Sequence, residues 1–546
     1  MKRVHLLMAS AALLMTFLWG GCGGRGPQIT GEEFAGRLPS VLTKTDTIET
    51  SEETIQEIQE VLSSAPRVGI TEESTKESAG DIVEEVEKEP DPEEVLYEAL
   101  FDWKNRITIE LEIEDTELNK LQKDYEKYHG MGSKSPIYRV CKSFKLTVGE
   151  EIYELEEVGV RPKGNYSRKN IYNPETGVPG LMHYRFSFDE TFEDEAYYGA
   201  DAKTWEDKKE RKERKNRTLA SLKGLEVRFN ANYDDTHIRE IYNAKFFEEQ
   251  GLLAQKCNLC QLIVNGNNYG VFIVYEPIDE LFIEHHLPEE DWGGDLYKCG
   301  AIRYVSQATY LLKTASYGIK NEDEKKFYNY DLKTNKKSSA HEALLTLLKI
   351  VNQKDLTAEQ LESVVDMDYF AKFMAAGYFT GNPDDYRNNY NNHYLYFLKS
   401  SGKAVFIPYD CDRCFGVTFE WNADGTGLSK NSPFSEFALG KKNEQQNPIT
   451  RSCVLKDSLF FEKYVQALKE VGKSPSLSNE PFVEVYEMMK KQYEDVVKPY
   501  RWLTHQVKDY SFSLTDEYDE SGFYNMSFEE FIDNKMRTFQ KEMEGL

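Results

Sequence analysis

Two polar segments in the carboxyl half of the chain contain residue types that bind metal ions and accept protons. The first is GNPDDYRNNYNNHYLYF, which begins at Gly381, and the second is IPYDCDRCFG, which ends at Gly416. The apolar runs HYLYF and AVFIP lie between them and predict a β-hairpin. Because a hairpin brings its two ends together, we expect the carboxylates and amides of both segments at one site.

Several kinds of chemistry use such residues. Carboxylate and amide oxygens suit Mg²⁺, Mn²⁺ or Ca²⁺ better than zinc or copper. Phosphoryl transfer needs a carboxylate that accepts the proton of the acceptor hydroxyl, and an Asp and an Asn that hold the metal ions.

Turns and helix caps are the usual role of Asp and Asn in loops, and composition alone favours that role. Asp384 and Asp410 also resemble the acid pair of a glycan-cleaving enzyme, although the neighbouring amides fit phosphate and metal better.

The motifs of the common nucleotide-binding folds are missing from the sequence. It contains no GxxxxGK[ST] phosphate loop, no GxGxxG after a strand, and no HRD or DFG in kinase order. The 67 basic and 94 acidic residues give a formal charge of -27, which repels nucleic acid phosphates. An ordinary protein kinase is therefore excluded, and we expect no nucleic-acid partner.

Strand patterns dominate the amino half of the main domain, and helix patterns dominate beyond Asp295. Alternating residues predict strands in RITIELEI, SFKLTVGEEIYELEEVGVRPKG, HYRFSFDE, GLEVRFN, QLIVNG and YGVFIVYEP. Helical spacing marks THIREIYNAKFFEEQG, HEALLTLLKIVNQ, TAEQLESVV and DYFAKFMAAGYF. The charged run KTWEDKKERKERKNR predicts a solvated helical insertion. A sheet-rich half followed by a helix-rich half with one hairpin is the layout of a bilobal, kinase-like α+β fold.

The amino terminus predicts export from the cytoplasm. A basic start, an apolar run from Leu6 to Trp19 and two glycines precede Cys22. This pattern is similar to the lipobox of bacterial lipoproteins, in which the cysteine is lipidated after cleavage. An ordinary cleaved signal and an uncleaved anchor are the alternatives. We therefore expect an extracytoplasmic protein, anchored to the membrane through lipid on Cys22.

An acidic segment follows the predicted signal peptide. From Gly31 to Glu94 the chain has 19 acidic and 5 basic residues and no aromatic residue after Phe34. Such a segment cannot bury enough apolar surface to fold. We predict three regions: a signal peptide at 1–22, a disordered acidic stalk at 23–96, and a domain at 97–546.

The seven remaining cysteines include two CxxC pairs, Cys257 with Cys260 and Cys411 with Cys414. Four thiolates could form a zinc site. However, Cys257 and Cys260 begin a predicted strand, where residues three apart face opposite sides. Burial of single cysteines, or a disulfide, is the favoured interpretation.

Taken in order, these motifs resemble the CotH kinase family (spore coat protein H). The similarity covers about Asp102 to Gly416, and the helical part at 417–546 is similar in character. It rests on GVRPKGNYSR, YRFSFDE, NYDDTHIRE, LIVNGNNYGVFIVYEPID, DLYK and the two polar segments. The resemblance implies an atypical protein-kinase-like bilobal fold, with a sheet-rich amino lobe and a mainly helical carboxyl lobe.

The resemblance also implies roles for individual residues. Asp384 is the expected catalytic acid/base, with the adjacent Asp385 as the competing assignment. Asn392 and Asp410 are the expected metal ligands, and Asp412 is an additional or outer ligand.

Three further residues are implied to contact the nucleotide. Lys163 and Arg185 are expected to face the phosphates, and Glu276 is expected near the base. The simpler alternatives are that Lys163 is a solvated cation in a hairpin and that Glu276 is an acid at a helix N-terminus.

The expected function follows from these roles. It is a protein kinase that uses ATP with Mg²⁺ or Mn²⁺ and phosphorylates Ser or Thr of exported or surface proteins. The alternative is a catalytically silent surface binding or coat-assembly protein with the same fold. ATP is scarce outside the cytoplasmic membrane, and that scarcity is the main argument for the alternative.

Overall fold

The computed structural model describes residues 91–164, 170–172, 180–232, 234–300, 307–418, 428–435, 447–497, 500–501, 507–508, 511–514 and 524–546. Cys22, the predicted signal peptide and residues 23–90 of the predicted stalk lie outside this part of the chain. The described part contains both helices and sheets, which confirms the mixed helix and sheet content of the predicted fold. Among its helices, none combines the length and apolar character needed to cross a bilayer.

Seven strands of the amino half close into a barrel. They are β1 Ile107–Glu112, β2 Arg139–Val148, β3 Glu151–Lys163, β4 His183–Ser187, β5 Glu226–Phe229, β6 Cys257–Val264 and β7 Asn267–Tyr275. Their order around the barrel is β1-β2-β3-β4-β5-β7-β6. Neighbours are antiparallel, except that β1 and β6 close the barrel in parallel. All seven strands overlap segments that the alternation predicted, although β2, β6 and β7 begin two to four residues earlier. The alternation did not predict closure. A kinase-like bilobal arrangement is not confirmed by this barrel.

The barrel encloses an apolar core built from alternate residues of each strand. Ile109 and Leu111 of β1 are buried with Phe144 and Leu146 of β2. Every second side chain of a strand points to the same face, so this alternation places the apolar set inside. Full burial of such side chains is worth about 1.5–3 kcal/mol each.

Six α-helices of the described part belong to the same half of the chain as the barrel. They are α1 Pro92–Phe101, α2 Asp115–Gly130, α3 Glu195–Tyr198, α4 Lys208–Lys215, α5 Arg239–Glu249 and α6 Glu280–His286. The predicted charged insertion is α4, which has no buried residue. Helix α5 confirms the predicted helix before Gly251, whose φ of 71° suits glycine. Helices α1 and α2 were not predicted.

A second sheet has five strands in the order β12-β11-β8-β10-β9. They are β8 Leu296–Cys299, β9 Tyr317–Gly318, β10 Tyr330–Leu332, β11 His393–Phe397 and β12 Ala404–Pro408. The predicted hairpin is confirmed, because β11 and β12 pair antiparallel from His393 opposite Pro408. The expectation of a single hairpin among helices was wrong, since β8, β9 and β10 extend it. These three strands have only two to four residues each, which is too short for a clear alternation.

Helices supply most of the remaining structure. They are α7 Glu342–Val351, α8 Ala358–Glu362, α9 Met367–Thr380, α10 Tyr386–Asn389, α11 Pro448–Val454, α12 Phe461–Val471, α13 Asn479–Tyr493 and α14 Phe528–Glu544. Short strands pair as β13 Val417–Thr418 with β16 Tyr524–Asn525, and as β14 Tyr500–Arg501 with β15 Val507–Lys508. The Tyr493 hydroxyl donates to Leu259 O and accepts from Ile107 N, both at 2.8 Å. Helix α13 is thereby bonded to two barrel strands.

Candidate active site

Asp384 lies in the loop between α9 and α10, and its carboxylate is held by three amides. Helix α9 ends at Thr380, and its C-cap Gly381 has a φ of 64°. Asp384 Oδ1 accepts hydrogen bonds from Asn389 Nδ2 at 2.8 Å and Asn391 Nδ2 at 3.1 Å, and Oδ2 accepts from Asn392 Nδ2 at 3.1 Å. Burial raises the pKa of Asp384 despite these bonds. The asparagines of the predicted polar segment therefore fix one carboxylate in a defined orientation.

Asp385 has a different environment, although it is the next residue. It is the N-cap of α10, and its Oδ1 accepts from Asn388 N at 2.8 Å and Asn388 Nδ2 at 3.1 Å. Its Oδ2 lies close to Gly377 of α9. A side chain at that glycine would place its Cβ only 3.4 Å from the oxygen. Burial raises the pKa of Asp385 to about 7. Helix capping therefore accounts for Asp385, whereas Asp384 is bound by side-chain amides.

Asp410 and Asp412 follow β12 and reach the same region. The Tyr409 N–H donates to Asn392 O at 3.1 Å, which joins the two polar segments directly. Asp410 adopts a φ of 57°, and its Oδ1 accepts from Arg228 Nη1 at 3.0 Å. Asp410 and Asp412 line one cavity with Glu240 of α5. The predicted meeting of the two hairpin ends is therefore present.

The pKa values of Asp410 and Asp412 are shifted in opposite directions by their surroundings. Burial would raise the pKa of Asp410, but the positive charges of Arg228, Lys298 and Lys163 outweigh it and lower the pKa. For Asp412, burial and the negative charges of Asp410 and Glu240 all raise the pKa. A cation bound between Asp410 and Asp412 would relieve this repulsion.

Glu226 of β5 forms ion pairs with three cationic side chains beside Asp410. Glu226 is buried, and its carboxylate pairs with Lys163, with Arg185 Nη1 at 3.1 Å, and with Arg228 Nη2 at 2.8 Å. Burial and neighbouring cations lower the pKa of Lys163 well below its usual value. Lys163 and Arg185, predicted from different strands, thus lie on one carboxylate. We call Lys163, Arg185, Arg228 and Glu226 the Glu226 cluster.

Tyr409 lies between this cluster and the five-stranded sheet. Its hydroxyl accepts from Lys163 Nζ at 2.9 Å, and its ring centroid is 4.9 Å from Arg228 Cζ. On the sheet side, Lys298 Nζ of β8 lies 3.7 Å from the same centroid. Burial lowers the pKa of Lys298 to about 7. The ring therefore separates cations of the barrel from a cation of the sheet.

Glu276 lies apart from these residues. It is fully buried and accepts from Tyr97 Oη at 2.8 Å and from Lys256 N at 2.6 Å, while His286 Nε2 lies 2.7 Å from its Oε1. The structure does not place it in the cavity of Asp410 and Asp412. Its observed partners instead attach α1 to the end of β7.

Asn392, Asp410 and Asp412 carry oxygen atoms of the kind that a small divalent ion prefers, although Asp410 and Asp412 line one cavity and Asn392 lines another. Across the described residues, no three His, Cys, Asp or Glu side chains gather as a metal-binding group. Two carboxylates and one amide nevertheless suit Mg²⁺ or Mn²⁺, because Mg²⁺ usually keeps several water or phosphate ligands. The Asn392 amide nitrogen bonds Asp384, which leaves its oxygen for a ligand. The cysteines form no such group: the seven in the described part are free thiols, and only Cys411 is not buried.

Sequence reasoning missed four residues of this site, namely Glu226, Arg228, Glu240 and Lys298. A usable signal was present in β5, where Glu226 and Arg228 alternate with Val227 and Phe229. Charged side chains are rarely buried without a partner, so two of them on one face of a short strand indicate a polar site.

Comparison with known proteins identifies the family. The family described as CotH kinase protein matches residues 203–536, which is more than half of the chain. The chain therefore belongs to this family. The matched region includes Asp384, Asn392, Asp410 and Asp412, whereas Lys163 and Arg185 precede it.

Individual relatives are more distant. Inner spore coat protein H of Bacillus subtilis is 25% identical over 198 residues, which cover 35% of this chain and 50% of that protein. Invasin CotH2 of Rhizopus delemar is 25% identical over 215 residues, or 37% of this chain and 35% of that protein. The chain thus spans half or less of the length of these curated relatives. Among solved structures, the Helicobacter pylori proinflammatory kinase CtkA is similar at 14% identity, with a TM-score of 0.22 over 50% of this chain and 88% of that one. That score is too low to support an argument.

Proposed function

We propose that this protein is an atypical metal-dependent protein kinase that transfers the γ-phosphate of ATP to Ser or Thr hydroxyls of exported or surface proteins. One observation supports this most directly. The amide-held carboxylate of Asp384, the acids Asp410 and Asp412, and the Glu226 cluster meet where the barrel faces the hairpin β11–β12. A base, two candidate metal ligands and several phosphate-binding cations are the parts that phosphoryl transfer requires.

Asp384 is the proposed proton acceptor. Its Oδ2 accepts one amide hydrogen bond whereas Oδ1 accepts two, so Oδ2 retains more capacity for the proton of a Ser or Thr hydroxyl. Burial raises the pKa of this carboxylate, and a raised pKa makes it a stronger base. The three amides keep it oriented while the acceptor binds.

The remaining residues would bind ATP and its metal ion. Asn392, Asp410 and Asp412 would hold Mg²⁺ or Mn²⁺, which neutralises charge on the transferring phosphoryl group when bound. Lys163 and Arg185 would contact phosphate oxygens. Both already share Glu226, so their positions are fixed before ATP arrives.

We also propose that the protein acts outside the cytoplasm, on a protein substrate at the cell surface or coat. Two observations support this proposal: the export pattern that ends at Cys22, and relatives named for a spore coat and for invasion. Lipid on Cys22 would provide the membrane attachment.

The direct test is incubation of the purified protein with γ-labelled ATP and Mn²⁺, followed by mass spectrometry to locate phosphorylated residues. Asp384→Asn should lose transfer, because the amide cannot accept the proton. Asp385→Asn should retain transfer, because the amide oxygen can still cap α10. Equal loss in both variants would contradict the assignment to Asp384.

A catalytically silent surface or coat-assembly protein is the second candidate. The names of the two curated relatives, a coat protein and an invasin, favour it. ATP binding by the wild-type protein without transfer to itself or to surface proteins would support this function over the kinase.

A further inference from the structure

Lys298 differs from the other cations near Asp410 because it forms no direct ion pair, although the charge of Asp410 partly offsets the effect of burial on its pKa. Lys163, Arg185 and Arg228 each pair with Glu226. Within the described part of the chain, Lys298 forms no ion pair and no side-chain hydrogen bond, and it contacts aromatic rings instead. A partly buried ammonium group without a carboxylate is costly to the folded state. Such a cost indicates a group that is kept for a ligand.

The position of Lys298 is rigid. It lies on β8, the central strand of the five-stranded sheet, opposite Asp331 of β10 and Tyr394 of β11. Its Nζ lies 3.7 Å from the Tyr409 ring centroid and 5.5 Å from that of Tyr394. Lysines on surface loops have no comparable constraint. The backbone of Lys298 is therefore fixed by the sheet, and its ammonium group lies against aromatic rings rather than in an ion pair.

The surroundings of Lys298 define the charge and class of the ligand. Tyr409 directly precedes Asp410, and its hydroxyl accepts from Lys163 on the other side. Lys298 and Lys163 thus approach one tyrosine from the sheet and from the barrel. An anion with several charged oxygens, close to a metal held by Asp410, would contact both lysines. A polyphosphate has this chemistry, because its charged oxygens are distributed along a chain.

We propose that Lys298 is a further phosphate-binding residue, which contacts the polyphosphate of the nucleotide from the sheet side, opposite Lys163. This inference rests on the proposed function, since it assigns a residue to the same site. Tyr409 is the spacer that keeps the two ammonium groups apart. The bound phosphates would then form the direct ion pair that no described acid forms with Lys298.

Calorimetry with three probes in Mg²⁺ buffer tests the proposal: ATP, inorganic tripolyphosphate and adenosine. Lys298→Met should weaken ATP and tripolyphosphate binding at least about 10-fold, as expected for loss of one charge-assisted hydrogen bond. Adenosine binding should not change. Lys298→Arg should retain most of the affinity, since the charge remains. Lys203→Met is the matched control, because Lys203 lies 4.5 Å from the Trp205 ring centroid but pairs with Glu157.

The outcomes separate this proposal from the proposed function. Unchanged tripolyphosphate affinity in Lys298→Met, with normal binding by the wild type, would overturn the role of Lys298 alone. Failure of the wild type to bind either ATP or tripolyphosphate would overturn the nucleotide site as a whole.

A second measurement uses only the wild-type protein and so does not depend on folding of a variant. Acetylation by an N-hydroxysuccinimide ester, followed by mass spectrometry, should show Lys298 protected by tripolyphosphate and Lys203 unprotected. Equal labelling of Lys298 with and without tripolyphosphate would overturn the proposal.

Discussion

Replacing Glu226 by Gln should destabilise the protein strongly, because one buried carboxylate compensates three cations. The substituted glutamine would keep the shape of the side chain and remove its charge. Lys163, Arg185 and Arg228 would then face one another without their shared partner. Arg228 would retain Asp410 Oδ1 at 3.0 Å, so part of its interaction would survive.

The expected loss follows from burial. The side chains of Glu226 and Arg228 are 7% and 4% exposed, so water screens their charges poorly. Removing one partner of a buried ion pair costs about 3–5 kcal/mol, mostly because the remaining charge is left uncompensated. Individual charge-assisted hydrogen bonds contribute about 1.5–3 kcal/mol, but bonds to one carboxylate are not additive. We therefore expect Glu226→Gln to lower the free energy of unfolding by about 3–5 kcal/mol.

Urea unfolding at pH 7, followed by tryptophan fluorescence, measures this difference. Glu98→Gln is the control, because Glu98 pairs with Lys256 through a side chain that is 69% exposed. Exposed pairs contribute about 0–1 kcal/mol. A loss below about 1 kcal/mol for Glu226→Gln, equal to that of the control, would refute the view that Glu226 holds the cations together.

Further predictions concern the metal site, the amino-terminal region and the anchor. Asp410→Ala should leave the fold intact and abolish the thermal stabilisation by ATP with Mn²⁺. It should slow phosphoryl transfer at least roughly 100-fold, which corresponds to an activation free energy higher by about 2.7 kcal/mol. A melting temperature that still rises with ATP and Mn²⁺ would contradict the metal assignment. Deleting residues 23–90 should leave the melting temperature unchanged. Deleting residues 23–101 should lower it, because α1 buries Leu96 and Leu100 in the barrel core. Equal melting temperatures of the two truncated proteins would show that α1 is dispensable. Cys22→Ser should release the protein from isolated membranes or block its processing, and an unchanged membrane fraction would indicate an uncleaved anchor.

The parts of the site that depend on local sequence were predictable. Asp384 and Asp410 flank one hairpin, and hairpin pairing is fixed by short-range turn and strand patterns. The sequence could not separate Asp384 from Asp385, because their roles depend on which residue caps the four-residue helix α10. That choice is set by hydrogen bonds to Asn388 and Asn392, which are visible only in the folded loop.

The contacts of the site that join residues of different barrel strands could not be predicted from local sequence patterns. Lys163, Arg185 and Glu226 meet because β3, β4 and β5 are neighbours in the closed barrel. One sequence shows that each strand exists, but not its neighbours or its register. Glu276 illustrates the same limit, since its partner Tyr97 comes from α1, 179 residues earlier in the chain.

Closure of the barrel has a consequence for self-association. Its seven described strands satisfy one another's backbone groups, so they offer no open edge for an additional strand. In the five-stranded sheet, one edge is the two-residue β9, and the other, β12, is partly covered because Phe406 O accepts from the Tyr369 hydroxyl of α9. Protected edges of this kind limit intermolecular β-pairing, which leads to aggregation. Recognition of a partner at these sheets must therefore depend on side chains rather than on backbone hydrogen bonding.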